Sequence, residues 1–467
     1  MAASGFEGTS AWLRGQWSNP SDIFTILLII GGDIVQKAIA QLCVGPVPYL
    51  TPVSFSFGWV TYAISALCSA LGDNRLMPRP ELDCILINAD SGYGRTNYSW
   101  ILSRILRDFD FWRRRECDEV KEEKLAELRA DIKAKRERLT VQRDEAVEDT
   151  IRRKIEKDLK KLPADDEVRI ALRVTVWQCT RTTCEGSGDM VYWIGLFISS
   201  LQLAVAAVPW IIHGEWYTFL VTASGTLLAY ASGALPQWFE EKYVSRRLKN
   251  SKSIFLTEGN GAEDVILILA GEGDMDLEAV AAPQRQLRRP WTTRILCAVL
   301  ATLWVCFLIT VAGWEQRTWY LLGVGMIGML HNVGVAGLKR QPRAWGIDLQ
   351  YKDTIVDGKV MGVLYLLEKK YPQAGCSLKA EFFPGNLFPR EELLWAYAKR
   401  RHHAWQKNDS PRNCDGTAKA WAMPDLDRPE SKQDDKDIPD EEEYKVPVST
   451  VNGDAVIDVV SVPGDGE

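Results

Sequence analysis

Histidine is nearly missing from this chain, with four in 467 residues. No cluster of histidines and acids has metal-ligand spacing, so no metal or other cofactor is expected. Ten cysteines are present, but they are scattered. Cys43, Cys68, Cys297 and Cys306 fall in or beside apolar stretches, where cysteine behaves as a small apolar residue. Cys179 and Cys184 are the one close pair and match no common zinc knuckle, so a disulfide framework is not expected. Internal repeats and a catalytic fingerprint are also lacking. Net charge is −6, and no strongly basic face points to nucleic acid. Residues Lys407–Glu467 carry 16 acidic and 7 basic side chains, so the acidic balance belongs to that tail. Beyond Asn408 Pro, Asp, Glu and Lys dominate, a composition too poor in apolar residues to order a core.

What the chain does have is length without charge. Six stretches, Ile23–Leu42, Phe55–Leu71, Trp193–Ile212, Trp216–Leu235, Ile295–Ala312 and Trp319–Gly337, are predominantly apolar, the first being purely so only over Ile23–Ile30. Each is about as long as a helix needs to cross a hydrocarbon core. The connections Val44–Ser54, His213–Glu215 and Gly313–Thr318 contain a single basic residue, Arg317. The others hold Arg75, Arg79, Arg169, Arg173, then Lys242, Arg246, Arg247, Arg288, Arg289, Arg294, then Lys339, Arg340, Arg343. The positive-inside rule then places both termini and the large loops in the cytosol. The first stretch is the weakest, and a cleaved signal peptide is its competing reading. Spans of about 20 residues lean toward an endomembrane over the thicker plasma membrane. The expected fold is an all-α transmembrane bundle of six helices, with a smaller cytosolic α+β portion and a disordered acidic C-terminal tail.

The division along the chain is 1–72 (spans 1 and 2), 73–190 (cytosolic insert), 191–239 (spans 3 and 4), 240–292 (hairpin loop), 293–338 (spans 5 and 6), 339–407 (helical segment) and 408–467 (tail). In the insert, Cys84–Asn88 reads as a strand, and the loop Asp90-Ser-Gly-Tyr-Gly-Arg95 follows it. An amphipathic helix from Ser99 to Trp112 comes next, with Trp100, Ile101, Ile105, Phe109 and Trp112 on one side. Strand, glycine loop and helix can cradle a phosphate, although Gly92-x-Gly94 alone also suits a plain turn. Glu116–Leu162 is charged and helical. Its interrupted apolar seam favours a helical hairpin or one solvated helix, with a dimerising coiled coil as the alternative. Ser253–Leu256 and Asp264–Ala270 flank a Gly-Asn-Gly turn, a hairpin signal. Gly358–Tyr371 and Arg390–Lys407 read as helices, and Ala455–Val462 is an apolar island in the tail.

Polar groups inside spans are costly in lipid and are the first place to seek function. Asp33, Gln36 and Lys37 share a helical face in span 1, with Gln41 one turn on. They suit either an ion or substrate path or an internal Asp33–Lys37 pair. His331 and Asn332 in span 6 are the other candidates, while Gln202 in span 3 stands alone. Gly323, Gly325, Gly328, Gly334 and Gly337 in span 6 read as close helix packing. Three functions stay open. One is a membrane-anchored accessory or scaffold protein with partners on the insert and tail. The others are a small-molecule or ion transporter or channel, and a membrane-embedded enzyme acting on a lipid or terpenoid. The lipid bilayer, protein partners and a second copy of the chain are the expected partners.

Several motifs together carry a likeness. They are Phe57-Gly-Trp59 leading to Gly72-Asp-Asn-Arg75, Ser91-Gly-Tyr-Gly-Arg95, Ser99-Trp100 with Arg107-Asp108, and Gly233-Ala-Leu-Pro-Gln-Trp238. The turn within Thr257–Val265, Glu368-Lys-Lys-Tyr-Pro372 and Phe382-Phe-Pro-Gly385 complete them. From about Ser54 to Ala398 the chain resembles an uncharacterised family of multi-span integral membrane proteins of filamentous fungi. The resemblance implies a membrane architecture and, for some members, a place beside secondary-metabolite genes. It implies no catalytic residues.

Overall fold

The computed structural model describes residues 31–72, 75–182, 186–243, 246–283, 290–312 and 318–407. In chain order these hold α1 (Gly32–Leu42), α2 (Trp59–Leu71), β1 (Ile85–Asn88), β2 (Gly94–Thr96), α3 (Trp100–Arg107), α4 (Phe109–Trp112), α5 (Arg115–Glu145) and α6 (Asp149–Lys161). Then come β3 (Leu172–Thr182), α7 (Met190–His213), α8 (Tyr217–Gly233), α9 (Pro236–Lys242), β4 (Lys252–Thr257), β5 (Asp264–Ala270) and α10 (Leu277–Ala281). The last are α11 (Pro290–Ala312), α12 (Thr318–Gly337), β6 (Ile347–Asp357), α13 (Val360–Lys370), α14 (Ala374–Phe382) and α15 (Pro389–Lys407). The first apolar stretch up to Ile30 and the tail beyond Lys407, with its apolar island, lie outside the described residues.

Helices and sheet form two layers joined by one core. Helix contacts run α1–α2, α2–α11, α11–α8, α8–α7, α7–α12 and α12–α1, closing a ring. Within it α7, Trp291–Ala312 of α11, and α12 are each long and apolar enough to cross a membrane; α8 with α9 makes a fourth, bent by 42°. The bend falls where Ala234-Leu-Pro236 interrupts the helix, because proline cannot donate to the preceding turn. The second apolar stretch departs from expectation. Helix begins only at Trp59; Thr51–Ser56 are buried and non-helical, and Phe57–Gly58 form a turn. The stretch 51–71 enters and leaves on the sheet side instead of crossing as a second span, with Thr51 bonded to Gly233 O and Ala70 O to Arg294.

The sheet has six strands in the order β2-β1-β4-β5-β3-β6, antiparallel except for the β3–β5 pair. It is not confined to one loop. Strands β1 to β3 come from segment 73–190, β4 and β5 from 240–292, and β6 from 339–407, a segment read from sequence as helical. Both faces are covered. Leu86, Trp177, Ile254, Leu256, Ile266 and Ile268 pack with the α3–α4 aromatics in a core continuous with the helix ring. Ile87, Val174, Val176, Phe255, Val265 and Leu267 pack beneath α13 to α15. The period-2 alternation along each strand is what sends neighbours to opposite faces. The expected β4–β5 hairpin is present, with Gly259 and Gly261 at φ 100° and 96° in its turn.

The amphipathic segment Ser99–Trp112 packs its apolar side, Trp100, Ile101, Ile105, Phe109 and Trp112, into the core between ring and sheet. The charged segment turns back on itself after Glu145, and Arg136 near the far end of α5 reaches Pro163 O (2.7 Å) and Asp165 (3.1 Å) past the end of α6. This is the helical hairpin, not one continuous helix.

Candidate functional site: an extended segment held inside the helices

Thr51–Gly58 occupies the space that the ring encloses, and the helices are notched to admit it. A Cβ at Gly195 of α7 would come within 2.3 Å of Pro52 O, and one at Gly225 of α8 within 2.6 Å of the Phe55 ring. On α12, a Cβ at Gly328 would lie 1.7 Å from Phe55 O, and one at Gly325 1.9 Å from the Phe57 ring. By contrast Gly323, Gly334 and Gly337 have nothing within 4 Å. The glycines that sequence assigned to helix packing therefore divide. Two receive the extended chain and three do not.

Within the segment the backbone bonds itself at Val53 N–Thr51 O (2.8 Å), and its other polar groups need partners elsewhere in the protein. Polar side chains of the helices supply them. Gln202 Nε2 donates to Phe55 O (2.7 Å) and to Val324 O (2.8 Å). Asn332 Nδ2 donates to Ser54 O (3.0 Å) and Ser56 Oγ (3.1 Å). Trp59 Nε1 donates to Ser54 O (3.0 Å), and Thr51 Oγ1 to Gly233 O (2.8 Å). His331 Nδ1 lies 2.8 Å from Ser54 Oγ. The phenylalanines of the segment join an aromatic stack, with Trp304 parallel to both Phe55 and Trp59 within 8°. An apolar cleft lined by Phe55, Phe57, Trp304, Phe307, Val311 and Leu321 opens beside them.

The candidates from span 1 are elsewhere. Asp33 is exposed, and Lys37 pairs with Glu81 (3.5 Å) instead of with Asp33. Gln36 donates to Leu76 O (2.7 Å). An internal Asp33–Lys37 pair is thus corrected, because Lys37 points to the sheet side where Glu81 offers a carboxylate. His331 and Asn332 do sit on the extended segment, and Gln202, uninterpreted in sequence, is its central support. The signal for it was the alternation Val53-Ser-Phe-Ser-Phe57, which has the period of a strand.

A second polar cluster fastens the ring to the sheet layer. Arg104 is fully buried, caps the end of α12 through Ala336 O (3.3 Å) and Leu338 O (3.0 Å), and pairs with Glu81 (2.8 Å). A cation there also offsets the negative end of the helix. Arg340 grips Asp189 with Nε and Nη2 (2.8 and 2.7 Å) and Gln41 O with Nη1 (2.5 Å). Asp189 in turn caps α7 at Tyr192 N (3.1 Å). In the sheet, Arg173 binds Asp264 (2.5 and 2.9 Å) and Asp118 of α5 (2.9 Å).

Burial alone would raise the Glu81 carboxyl, but Arg104, Arg107 and Lys37 outweigh it and hold the group below its ordinary value. Glu278 is lowered likewise, its burial outweighed by Lys252, Asn88 and Arg95. Depressed carboxylates stabilise the fold above their unfolded value near 4.5, and that stability is lost as pH falls through the folded value. Melting followed by tryptophan fluorescence should hold steady from pH 7 to 5 and fall steeply below it. Glu81→Gln should melt earlier at neutral pH and lose part of the acid dependence; an unchanged pH profile would contradict this account.

The glycine loop does not form a phosphate cradle. Asn88 Oδ1 takes the amides of Asp90 (2.9 Å) and Ser91 (3.1 Å), and Asn88 O takes that of Gly92 (2.8 Å). The next element is the short strand β2, not a helix, so no free N–H array faces outward. Among the described residues no group of three or more His, Cys, Asp or Glu is placed to hold a metal ion.

The geometry defines a protein with helices able to span a membrane and an attached mixed sheet. No family model matches the chain, and neither a similar curated protein nor a similar solved structure was found.

Proposed function

We propose that this is a multi-span integral membrane protein that acts as a membrane-anchored scaffold or accessory protein, presenting its sheet layer and helical hairpin to cytosolic partners. The carrying observation is the hairpin. Helix α5 runs 31 residues, about 46 Å at 1.5 Å per residue, yet Cys117 is its one buried residue, and α6 buries none. An arm of that length contributes little to its own core and much to reach.

One feature supports a common side for the large connections. Segments 73–190, 240–292 and 339–407 contribute strands to one sheet, which requires them to share a side, in agreement with the basic residues they carry. The stretch 51–71 goes in and returns on that same side: Thr51 bonds Gly233 O near the sheet-side end of α8, and Ala70 O accepts from Arg294 at the start of α11. The likeness to fungal membrane proteins adds, as part of the proposal, a role beside a secondary-metabolite pathway.

Replacing 119–161 by a short Gly-Ser linker should leave expression and melting nearly unchanged while abolishing capture of cytosolic partners. Retention of every partner and phenotype would end the scaffold reading. Val147, fully exposed at the hairpin tip, tests sidedness. In intact cells Val147→Cys should resist a membrane-impermeant maleimide and react only after permeabilisation. A second reading, transport of an ion or small molecule, draws support from Thr51–Gly58, since non-helical backbone at membrane depth is a recurrent feature of transporters.

A further inference from the structure

We propose that the solvent face of α6 is the docking surface for an acidic run in the chain's own C-terminal segment, residues 434–443. Helix α6 carries six basic and three acidic side chains. At 3.6 residues per turn, Arg153, Lys154, Lys157, Lys160 and Lys161 fall within an arc of about 120°. Thr150 is the other residue in that arc, and the acids Asp149, Glu156 and Asp158 lie at its borders. All five cations are exposed. Lys161 pairs with Asp158 (3.3 Å), while the other four form no ion pair among the described residues. The opposite side of the helix is apolar, with Ile151, Ile155 and Leu159 at i, i+4 and i+8, and α6 packs on α5.

Charge and reach select the occupant. Residues 434–443, Asp-Asp-Lys-Asp-Ile-Pro-Asp-Glu-Glu-Glu, hold seven acids and one lysine, the densest negative run in the chain. Blocks of like charge repel themselves and seek surfaces of opposite sign. Helix α15 ends at Lys407, and 26 residues separate it from Asp434. A coil of that length has an r.m.s. reach of about 25–30 Å and a limit of about 90 Å, beyond the whole length of the arm. Tethering holds the acids near the stripe at about millimolar concentration, so that individually weak surface ion pairs act together. A lipid surface is the poorer fit. Helices that lie on one bury an apolar face among the headgroups, and that face of α6 is spent on α5. Docking covers the returning helix of the arm, and an acidic cytosolic partner must displace the tail to reach it. The contact requires hairpin and tail on one side of the bilayer but not the capture of partners, so it stands or falls apart from the scaffold reading.

The test is zero-length carbodiimide coupling of the purified full chain in nanodiscs of neutral lipid, with the joined peptides mapped by mass spectrometry. At low salt, Lys154, Lys157 and Lys160 should be linked to carboxylates within 434–443. A second variant keeps the chain whole but changes each Asp of that run to Asn and each Glu to Gln. A brief pulse of a water-soluble acylating ester should label the three lysines about tenfold more slowly in the parent than in this variant. Lys133 and Lys135 of α5, both exposed, should label alike in the two. Raising the salt to about 0.5 M should abolish links and protection together. Equal labelling of the stripe in parent and variant, with no link to 434–443, would overturn the proposal. Protection that follows the anionic lipid content of the disc and ignores the seven acids would overturn it too, giving the stripe to the membrane surface. Links lost on hundredfold dilution would do the same by assigning the acids to another copy.

Discussion

Gly328→Ala should yield no folded, monodisperse protein, whereas Gly334→Ala on the same helix should behave as the parent. The added methyl at 328 would stand 1.7 Å from Phe55 O, a distance no flexible side chain can relieve because the atom it meets is backbone. Either α12 withdraws, breaking the Gln202 and Asn332 bonds, or the segment leaves the interior with its carbonyls unsatisfied. Overpacking alone costs about 1–3 kcal/mol, and each buried polar group left unpaired adds about 1–3 kcal/mol. Their sum reaches the whole stability of an ordinary domain. At Gly334 nothing lies within 4 Å, and alanine is the better helix former by about 1 kcal/mol. Size-exclusion profiles and melting of both variants check the pair. A folded Gly328→Ala with parental melting would mean that Thr51–Gly58 is not lodged against α12.

Arg340→Ala should be the next most damaging change. It leaves Asp189 facing Gln41 O without its cation and unfastens α1, α7 and the end of α12 from one another. Removing one partner of a buried pair costs about 3–5 kcal/mol. Partial exposure of Asp189, at 26% of its side chain, puts the expected loss toward the lower end. Arg340→Lys should recover only part, because an ammonium cannot hold two carboxylate oxygens and a carbonyl in the planar fork of a guanidinium. Arg343→Ala, at an exposed side chain three residues on, is the control and should be silent. Chemical or thermal denaturation in the same detergent measures all three, and equal midpoints for Arg340→Ala and Arg343→Ala would refute the clasp.

Hydropathy made the apolar helices α7, α8, α11 and α12 legible within a few residues, because uncharged length has few other uses. It could not separate helix from strand in Thr51–Trp59, where either conformation buries the same side chains and only the serine–phenylalanine alternation told them apart. Strand β3 was hidden for a different reason. Arg173 and Gln178 interrupt its apolar run, and what makes them tolerable inside is a partner far along the chain, Asp264 for the arginine and Leu269 O for the glutamine. Strand β6 lies at the sheet edge, where Asp348, Lys352 and Asp353 keep the outer face polar. Gln202 was visible as an oddity but mute, since its role depends on a segment 147 residues away. Pairwise chemistry of that range leaves no local trace.

Strand order has a bearing on biogenesis. Strand β3 emerges from the ribosome early, but its two neighbours, β5 and β6, follow about 90 and 170 residues later, with four apolar helices synthesised in between. It must therefore wait, unpaired on both flanks, while α7 and α8 are made, and on its β6 flank until α11 and α12 are complete. Closure of the sheet is tied to delivery of the last helix. A nascent chain halted before Ile347 would carry an open strand edge that chaperones, or another copy of itself, can seize.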